Sequence, residues 1–393
     1  MGIFSGNKEK KDLALVFHIG SSSIGGALFL AQSSGIPKII FSVNEPISIE
    51  ENVSVDRFLA LSLKSIEKVS KRIHDARLGA PSKVYCVLSS PWYTSQTRII
   101  NFKKNTPFLF TSKLADELIK KEVTLFQEEH SLKYQNIDNA VRAIELKNIK
   151  TLLNGYETSN PLNKKTKEVE MTIFVSIAGE QVLKKMEESI EKYFHPSLIK
   201  FSSFTMASFA VVRDMNTQKE NFLLVDIGGE ITDISMVKQN ILRESITFPL
   251  GRNFLIRGVA TDLNCSLNEA DSLISLLKDG HAEEKLSKKL TFVMDGLRKE
   301  WLKSFQDSLA NISNDISVPS TIYIAIDKDL ADFFLETIKT EQFSQYTLTE
   351  SKFDVVFLNS QNLHGLATFE EAAIREPFLI IDSIYINRFL FQK

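Results

Sequence analysis

The chain has few of the residues that mark several common protein classes. It contains two cysteines in 393 residues, Cys86 and Cys265, which lie far apart and lack the spacing of a metal site. A reducing cytoplasm is therefore the simplest compartment. No run approaches the roughly 20 apolar residues of a membrane span, and the first residues lack a signal-peptide core. We expect any membrane contact to be indirect or peripheral, at the inner face of the cell membrane.

An excess of charge of one sign is also missing. The 47 basic and 49 acidic side chains leave a net charge of −2, which argues against nucleic-acid binding as the main function. The local cluster Lys8–Lys11 is interpreted as a solvated tail, with contact to acidic lipid or a partner as the alternative. Hydrophobic residues make up 43% of the chain, which is typical of a globular protein, and its length predicts two lobes.

One stretch near the middle of the chain combines a buried strand with a glycine turn. Phe222 to Val225 is a continuous apolar run of the kind that a buried strand shows. Asp226 follows at the strand end, and Gly228 and Gly229 permit a tight turn whose N–H groups can approach a bound anion. Apolar residues resume at Ile231, so the pattern predicts a hairpin. A hairpin excludes Walker and Rossmann sites, which need a helix after the turn.

The same arrangement occurs near the start of the chain. Residues 13–30 are predicted to form a strand, a turn and a second strand, with Gly20 and Ser21 to Ser23 in the turn. This pair of hairpins resembles the two phosphate loops of the actin-fold ATPase superfamily. The resemblance implies a duplicated, two-lobe architecture.

Within that superfamily the chain is similar to the cell-division protein FtsA and to PilM of type IV pilus assembly. Residues 153–165 resemble the junction after the inserted subdomain of FtsA, and residues 248–280 resemble the segment that both families carry after the second hairpin. The opening Met1–Lys11 is more similar to PilM. The resemblance implies an α/β fold, actin-like (ribonuclease H-like), with a strand–helix–strand subdomain inserted in the first lobe.

The expected domain limits follow this likeness. The first lobe comprises 12–91 and 167–216, the inserted subdomain 92–166, the second lobe 217–365 with helical residues 252–317, and a return helix to the first lobe 366–393. The spacing of apolar residues from Val55 to Ile73 predicts a long amphipathic helix in the first lobe. We also expect a short linker to replace residues 93–163 without loss of folding. The apolar stretch Phe378–Phe391 is interpreted as a packed helix rather than as the membrane-targeting tail of FtsA.

The likeness further implies a nucleotide site between the hairpins. The positions that would contact ATP are Gly20, Ser21, Ser22, Ser23, Asp226, Gly228, Gly229, Glu230 and Thr232. Asp226 is also the implied magnesium contact, and no catalytic residue is assigned.

Three departures from the family pattern weaken this site. His18 replaces the aspartate that orients magnesium through water, and a neutral imidazole cannot supply a hard anionic oxygen. Glu230 replaces a third glycine, and its carboxylate would repel phosphate unless the side chain points away. The charged run Asp327–Leu330 replaces the glycine pair that lies against adenine in FtsA. A degenerate cleft is therefore favoured over a working ATPase, and binding of ATP and magnesium stays open.

Two classes of function are compatible with this sequence. The favoured one is a cytoplasmic scaffold that links membrane-associated machinery, either the division ring or the pilus assembly complex, through protein partners and self-association or polymers. The inserted subdomain is the expected contact. The alternative is a working actin-fold ATPase or phosphotransferase that binds ATP and magnesium, which would need an acidic base and an intact metal site.

Overall fold

The structure is a computed structural model that describes residues 13–133, 140–312, 317–326, 330–340 and 352–391. Within these ranges no helix is both long enough and apolar enough to cross a membrane. The lysine cluster at Lys8–Lys11 and most of the run Asp327–Leu330 lie outside the described residues.

The chain alternates strands and helices in two similar halves. The strands are β1 Leu13–Ile19, β2 Ser23–Leu30, β3 Lys38–Pro46, β4 Lys83–Leu88, β5 Thr94–Phe110, β6 Val141–Leu153, β7 Tyr156–Glu157, β8 Lys164–Gly179, β9 Leu198–Ser203, β10 Phe222–Ile227, β11 Thr232–Lys238, β12 Ile241–Phe248, β13 Thr321–Ile326, β14 Asp354–Phe357 and β15 Thr368–Phe369. The helices are α1 Val55–Asp75, α2 Ser112–Lys133, α3 Glu180–Glu191, α4 Phe204–Met215, α5 Arg252–Leu263, α6 Leu267–Lys278, α7 Glu284–Ile312, α8 Ala331–Thr340 and α9 Pro377–Tyr385. A π-helical turn, Ile386–Leu390, follows α9.

Two sheets repeat one topology. The first has the strand order β15-β3-β2-β1-β4-β9 and the second β12-β11-β10-β13-β14. In each, an antiparallel meander of three strands (β1 to β3, β10 to β12) continues into parallel strands (β4 and β9, β13 and β14). The two predicted hairpins therefore occupy equivalent positions in equivalent sheets.

Two buried helices fill the space between these sheets. Every residue of α9 is buried, and all of α4 from Phe204 to Val212 is buried as well. Their apolar side chains share one core with inward residues of β1 and β10, such as Val16 and Leu224. Glu376 caps α9 by accepting a hydrogen bond from the Leu379 N–H at 2.7 Å, just before Pro377 at the first helical position. The packed-helix interpretation of this segment is confirmed.

Helix α1 confirms the predicted amphipathic helix and adds one exception. It starts where the Ser54 hydroxyl accepts a hydrogen bond from the Arg57 N–H at 3.3 Å. Its inner face, which includes Leu59 and Ile66, is buried against the first sheet. Val55, which the periodicity also placed on that face, is 78% exposed.

The inserted segment builds a third sheet that is larger than the sequence predicts. Its strand order is β5-β8-β6-β7, with α2 packed against it. β8 pairs along its length with β5 on one side and β6 on the other, although the sequence places most of it back in the first lobe. Replacing residues 93–163 would leave β8 without either neighbour, so the structure predicts that this replacement disrupts folding. The domain limits themselves stay a prediction.

A buried carboxylate joins this third sheet to the core between the lobes. Glu145 in β6 accepts hydrogen bonds from the Ser203 N–H at 3.1 Å, from the Ser203 hydroxyl at 2.7 Å and from the Tyr385 hydroxyl. Burial raises the pKa of the Glu145 carboxyl, and the donors from Tyr385 and Ser203 act in the opposite direction. The insert is therefore connected through one polar cluster to the end of β9, directly before α4, and to the C-terminal helix.

Candidate functional site

The two predicted loops are tight turns that close antiparallel hairpins. In the first, the Gly20 N–H donates to the Ser23 carbonyl at 3.2 Å, and in the second the Gly228 N–H donates to the Ile231 carbonyl at 2.9 Å. β1 and β10 hold equivalent places in the two sheets, and the turns after them meet at the boundary between the lobes. The structure thus brings the predicted loop residues together.

The two turns are in direct contact with each other. The Glu230 N–H donates a hydrogen bond to the Ser21 hydroxyl at 3.1 Å across the lobe boundary. A Cβ atom on Gly229 would lie 2.5 Å from the Ser21 carbonyl oxygen, and one on Gly228 would lie 2.6 Å from the Ser21 Oγ. Close approach of the two backbones therefore requires glycine at position 229, whereas a side chain at position 228 would displace the Ser21 hydroxyl, whether or not an anion binds.

The start of α5 packs against the second turn. The N–H groups of Arg252 and Asn253 donate to the carbonyl oxygens of Gly228 and Gly229, at 2.9 and 2.7 Å. These are first-turn N–H groups of a helix, which otherwise form a binding site for anions. A Cβ atom on Gly251, the residue that precedes α5, would collide with the same two carbonyls. The helix terminus is thus occupied by protein backbone.

The Glu230 side chain points away from the turn and is paired. Its Oε1 accepts from Asn253 Nδ2 at 2.8 Å and from Arg257 Nη2 at 2.7 Å, and its Oε2 accepts from Arg257 Nη1 at 2.7 Å. Arg257 also donates from Nε to the carbonyl of Glu50 in the first lobe at 2.8 Å. The carboxylate is therefore neutralised by Arg257 rather than aimed at a phosphate position.

His18 forms a buried pair with an aspartate of the C-terminal helix. Its Nδ1 lies 2.9 Å from Asp382 Oδ2, and its ring packs between Phe204 and Phe378, with ring centroids 5.1 and 4.6 Å away. Burial raises the pKa of the Asp382 carboxyl well above its usual range. Since Asp382 is fully buried, the pair presents no anionic oxygen to the cleft. The residues at this position do not fit the magnesium of an ATP–magnesium complex.

Asp226 lies directly opposite Asp233 across the second hairpin. Asp233 accepts a hydrogen bond from the Thr247 hydroxyl at 2.5 Å, and burial raises the pKa of its carboxyl. On the first-lobe side, burial together with the charges of Asp233 and Asp226 raises the pKa of the Tyr93 phenol, which pairs with the Thr205 hydroxyl at 2.6 Å. Among the described residues no group of three or more metal-ligating side chains forms a metal site. Asp226 as a magnesium contact stays a prediction.

Thr232 has a structural partner on each side. Its hydroxyl donates to the Leu250 carbonyl at 2.7 Å and accepts from the Trp301 indole N–H at 3.3 Å. The residue is fully buried, so these bonds fix the second strand of the hairpin against α7. A ligand role for Thr232 remains untested.

A pocket of about 290 Å³ opens beside the first turn. Its lining includes Ser22, Ser23, Arg252, Ile326 and Arg375. Two arginines and two hydroxyl side chains suit an anionic group, but the Glu376 carboxylate, which would repel one, also lines the pocket. The volume lies just below that of most small-molecule pockets, which measure about 300–1,000 Å³. The other predicted contacts (Gly20, Ser21, Asp226, Gly228, Gly229, Glu230 and Thr232) do not line it.

A second, more apolar groove lies where the insert meets the first lobe. It measures about 340 Å³ and is lined by residues of α1, of the segment before β5, of β8 and of α3. The lining includes Val55, Leu59, Trp92, Ile177 and Val182. Sequence reasoning expected the insert to bind a partner but did not identify this groove. An apolar Val55 at the exposed start of a capped helix is the one local signal that could have indicated it.

Proteins similar to this chain are found among solved structures. No protein-family model matches it, and no curated protein matches it. A chain of a PilM–PilN type IV pilus biogenesis complex superposes with a TM-score of 0.62 at 14% identity, over 95% of this chain and 98% of that one. The ethanolamine utilization protein EutJ from Carboxydothermus hydrogenoformans gives a TM-score of 0.43 at 9% identity, over 96% and 89% of the two chains. A Bacteroides thetaiotaomicron protein with an actin-like ATPase fold gives 0.39 at 8% identity, over 98% and 99%.

Proposed function

We propose that this chain, which has the actin-like ATPase fold, is a scaffold that binds a protein of membrane-associated machinery between its insert and its first lobe. The apolar groove at this junction carries the proposal. It combines exposed or half-exposed apolar side chains, Val55 and Val182, with charged residues at its border, Asp56, Glu180 and Lys185. An apolar centre with a polar rim is the composition of protein-binding surfaces.

Pilus assembly is favoured over the division ring as the setting. The solved chain with a TM-score of 0.62 belongs to a PilM–PilN complex, and the likeness extends over the insert as well as both lobes because it covers 95% of this chain. The likeness of Met1–Lys11 to PilM agrees with this assignment. A division-ring partner is the runner-up, on the likeness of residues 153–165 to FtsA.

A nucleotide cleft that does not hydrolyse ATP completes the proposal. The His18–Asp382 pair replaces the magnesium-ordering carboxylate, and the Gly229 backbone packs directly against Ser21 of the other turn. One observation favours the alternative, a working ATPase or phosphotransferase: the charge of Glu230 is neutralised by Arg257 and does not oppose a phosphate. Release of phosphate from ATP that depends on magnesium and is lost in Asp226→Asn would support that alternative.

Binding to the PilN protein of the same organism tests the scaffold function. We expect the purified chain to bind PilN, and Val55→Asp and Lys185→Glu to weaken binding at least tenfold, because both exposed residues line the groove. Asp at the first helical position is compatible with α1, so folding should be retained. Phe292→Asp is the matched control, since Phe292 is 81% exposed on α7 and does not line the groove. Equal affinity of all four proteins, or no binding by the unmodified chain, would contradict the proposal.

A further inference from the structure

The contacts of Glu230 have the geometry of a bound anion. Arg257 approaches the carboxylate with two parallel N–H groups, each 2.7 Å from its oxygen, and the Asn253 amide donates to Oε1 from a third direction. A planar guanidinium fork with an added amide donor is a common arrangement for binding carboxylate and phosphate. Both charged side chains are largely shielded, with exposed fractions of 24% for Arg257 and 19% for Glu230.

The same arginine also joins the two lobes. The first-lobe segment 46–54 runs from the last residue of β3 to the residue that caps α1, and it reaches the second lobe, where Ile49 packs against the core. The Ile47 N–H donates to the Ser22 carbonyl at 2.9 Å, and the Glu50 carbonyl accepts from Arg257 Nε at 2.8 Å. Arg257 therefore binds the Glu230 carboxylate with its two terminal nitrogens and the first lobe with its third.

We propose that Glu230 is an internal anion that occupies an anion-binding site formed by Arg257 and Asn253 and thereby holds the two lobes closed without a ligand. The carboxylate fixes the guanidinium in the one orientation that also reaches Glu50. The Glu230 N–H, bonded to Ser21 Oγ, adds a second link across the same boundary. This inference goes beyond the proposed scaffold function and does not depend on the identity of its partner.

Removal of the Glu230 carboxylate, followed by addition of a free anion, distinguishes this role from that of an ordinary ion pair. In Glu230→Ala the guanidinium loses its counter-charge, and we expect hydrogen exchange in residues 46–54 and 226–232 to rise at least tenfold. Sodium formate supplies a free carboxylate of the right size. We expect formate, compared with sodium chloride at equal ionic strength, to restore slow exchange in Glu230→Ala. It should have no effect on Arg257→Ala, which opens the same segments but lacks the site.

Asp271→Ala is the matched control. Asp271 in α6 pairs at 2.8 Å with Arg252, which lies on α5 as Arg257 does, so loss of this neighbouring ion pair should leave exchange in residues 46–54 unchanged. If Glu230→Ala does not fold, Glu230→Gln serves instead, because its side chain keeps the shape and loses the charge. Unchanged exchange in the Glu230 variants, or opening that formate does not reverse in Glu230→Ala, would overturn the proposal. Binding of PilN by the same variants reports separately on the scaffold function.

Discussion

The polar cluster around Glu145 offers a direct test of how the insert is attached. In Glu145→Ala the Ser203 N–H, the Ser203 hydroxyl and the Tyr385 hydroxyl lose their shared acceptor. All three donors are buried. Each buried donor left without a partner costs about 1–3 kcal/mol.

The expected loss of stability is smaller than the sum of three such penalties. The folded protein already carries the desolvation cost of the Glu145 carboxylate, as its raised pKa indicates, and truncation removes that cost. Because the donors left without an acceptor, on Ser203 and Tyr385, are uncharged, the expected net cost of Glu145→Ala is about 2–4 kcal/mol. Glu145→Gln keeps one acceptor oxygen for Ser203 and can donate to the Tyr385 oxygen, so its expected cost is about 1 kcal/mol.

Equilibrium unfolding in urea, followed by tryptophan fluorescence and by far-ultraviolet circular dichroism, measures both free energies. Glu157→Ala is the surface control, because Glu157 in β7 is exposed. A loss below 1 kcal/mol for Glu145→Ala, or equal losses for Ala and Gln, would refute the reasoning. Either result would mean that the insert is not held through this carboxylate.

Three further predictions follow from single residues. Burial raises the folded-state pKa of Glu145 above its unfolded value of about 4.3. The protonated side chain therefore stabilises the fold below that pH, and this contribution is lost as the pH rises through the folded-state pKa. In urea titrations, raising the pH from about 4 should therefore destabilise Glu145→Gln less than the unmodified protein. Gly229→Ala should lower the free energy of unfolding in urea by about 1–3 kcal/mol, because its Cβ would meet the Ser21 backbone at 2.5 Å. Gly296→Ala, within α7 and with open space around it, should instead raise the free energy of unfolding by about 0.5–1 kcal/mol. Equal effects of the two variants would show that the turns can separate. His18→Asp should lower the free energy of unfolding by about 3 kcal/mol, because it places a second carboxyl beside buried Asp382. Calorimetry should show that ATP binding to this variant depends on magnesium no more than binding to the unmodified protein does. A gain in magnesium dependence would mean that residue 18 does face the nucleotide cleft.

Local patterns were sufficient for much of the fold. The two hairpins and helix α1 follow from apolar spacing and turn residues over short windows, and the structure confirms them. The resemblance to actin-fold proteins then predicted correctly how these elements are arranged in the fold. Agreement of this kind is expected wherever local preference and tertiary packing favour the same structure.

Side-chain partners could not be predicted in the same way. His18 and Asp382 are 364 positions apart, and Glu230 meets Arg257 only because α5 folds back over the turn. No local pattern states which distant residue will neutralise a buried charge. The sequence correctly raised the possibility that Glu230 points away, but it could not name the arginine. The pairing of β8 with β5 and β6 was missed for a related reason, since no local pattern in residues 164–179 specifies which sheet the strand joins.

The burial of helix α9 between the two sheets also sets the order in which this protein can fold. Its residues contact β1 and β2, which the ribosome makes more than 300 residues earlier, as the separation of His18 and Asp382 shows. The apolar surface of β1 and β2 that α9 covers therefore stays exposed until residue 385 has been synthesised. Such long-range closure slows folding and exposes apolar surface during synthesis. We expect nascent chains that stop before Pro377 to require chaperones, even though they contain all of the strands β1 to β15.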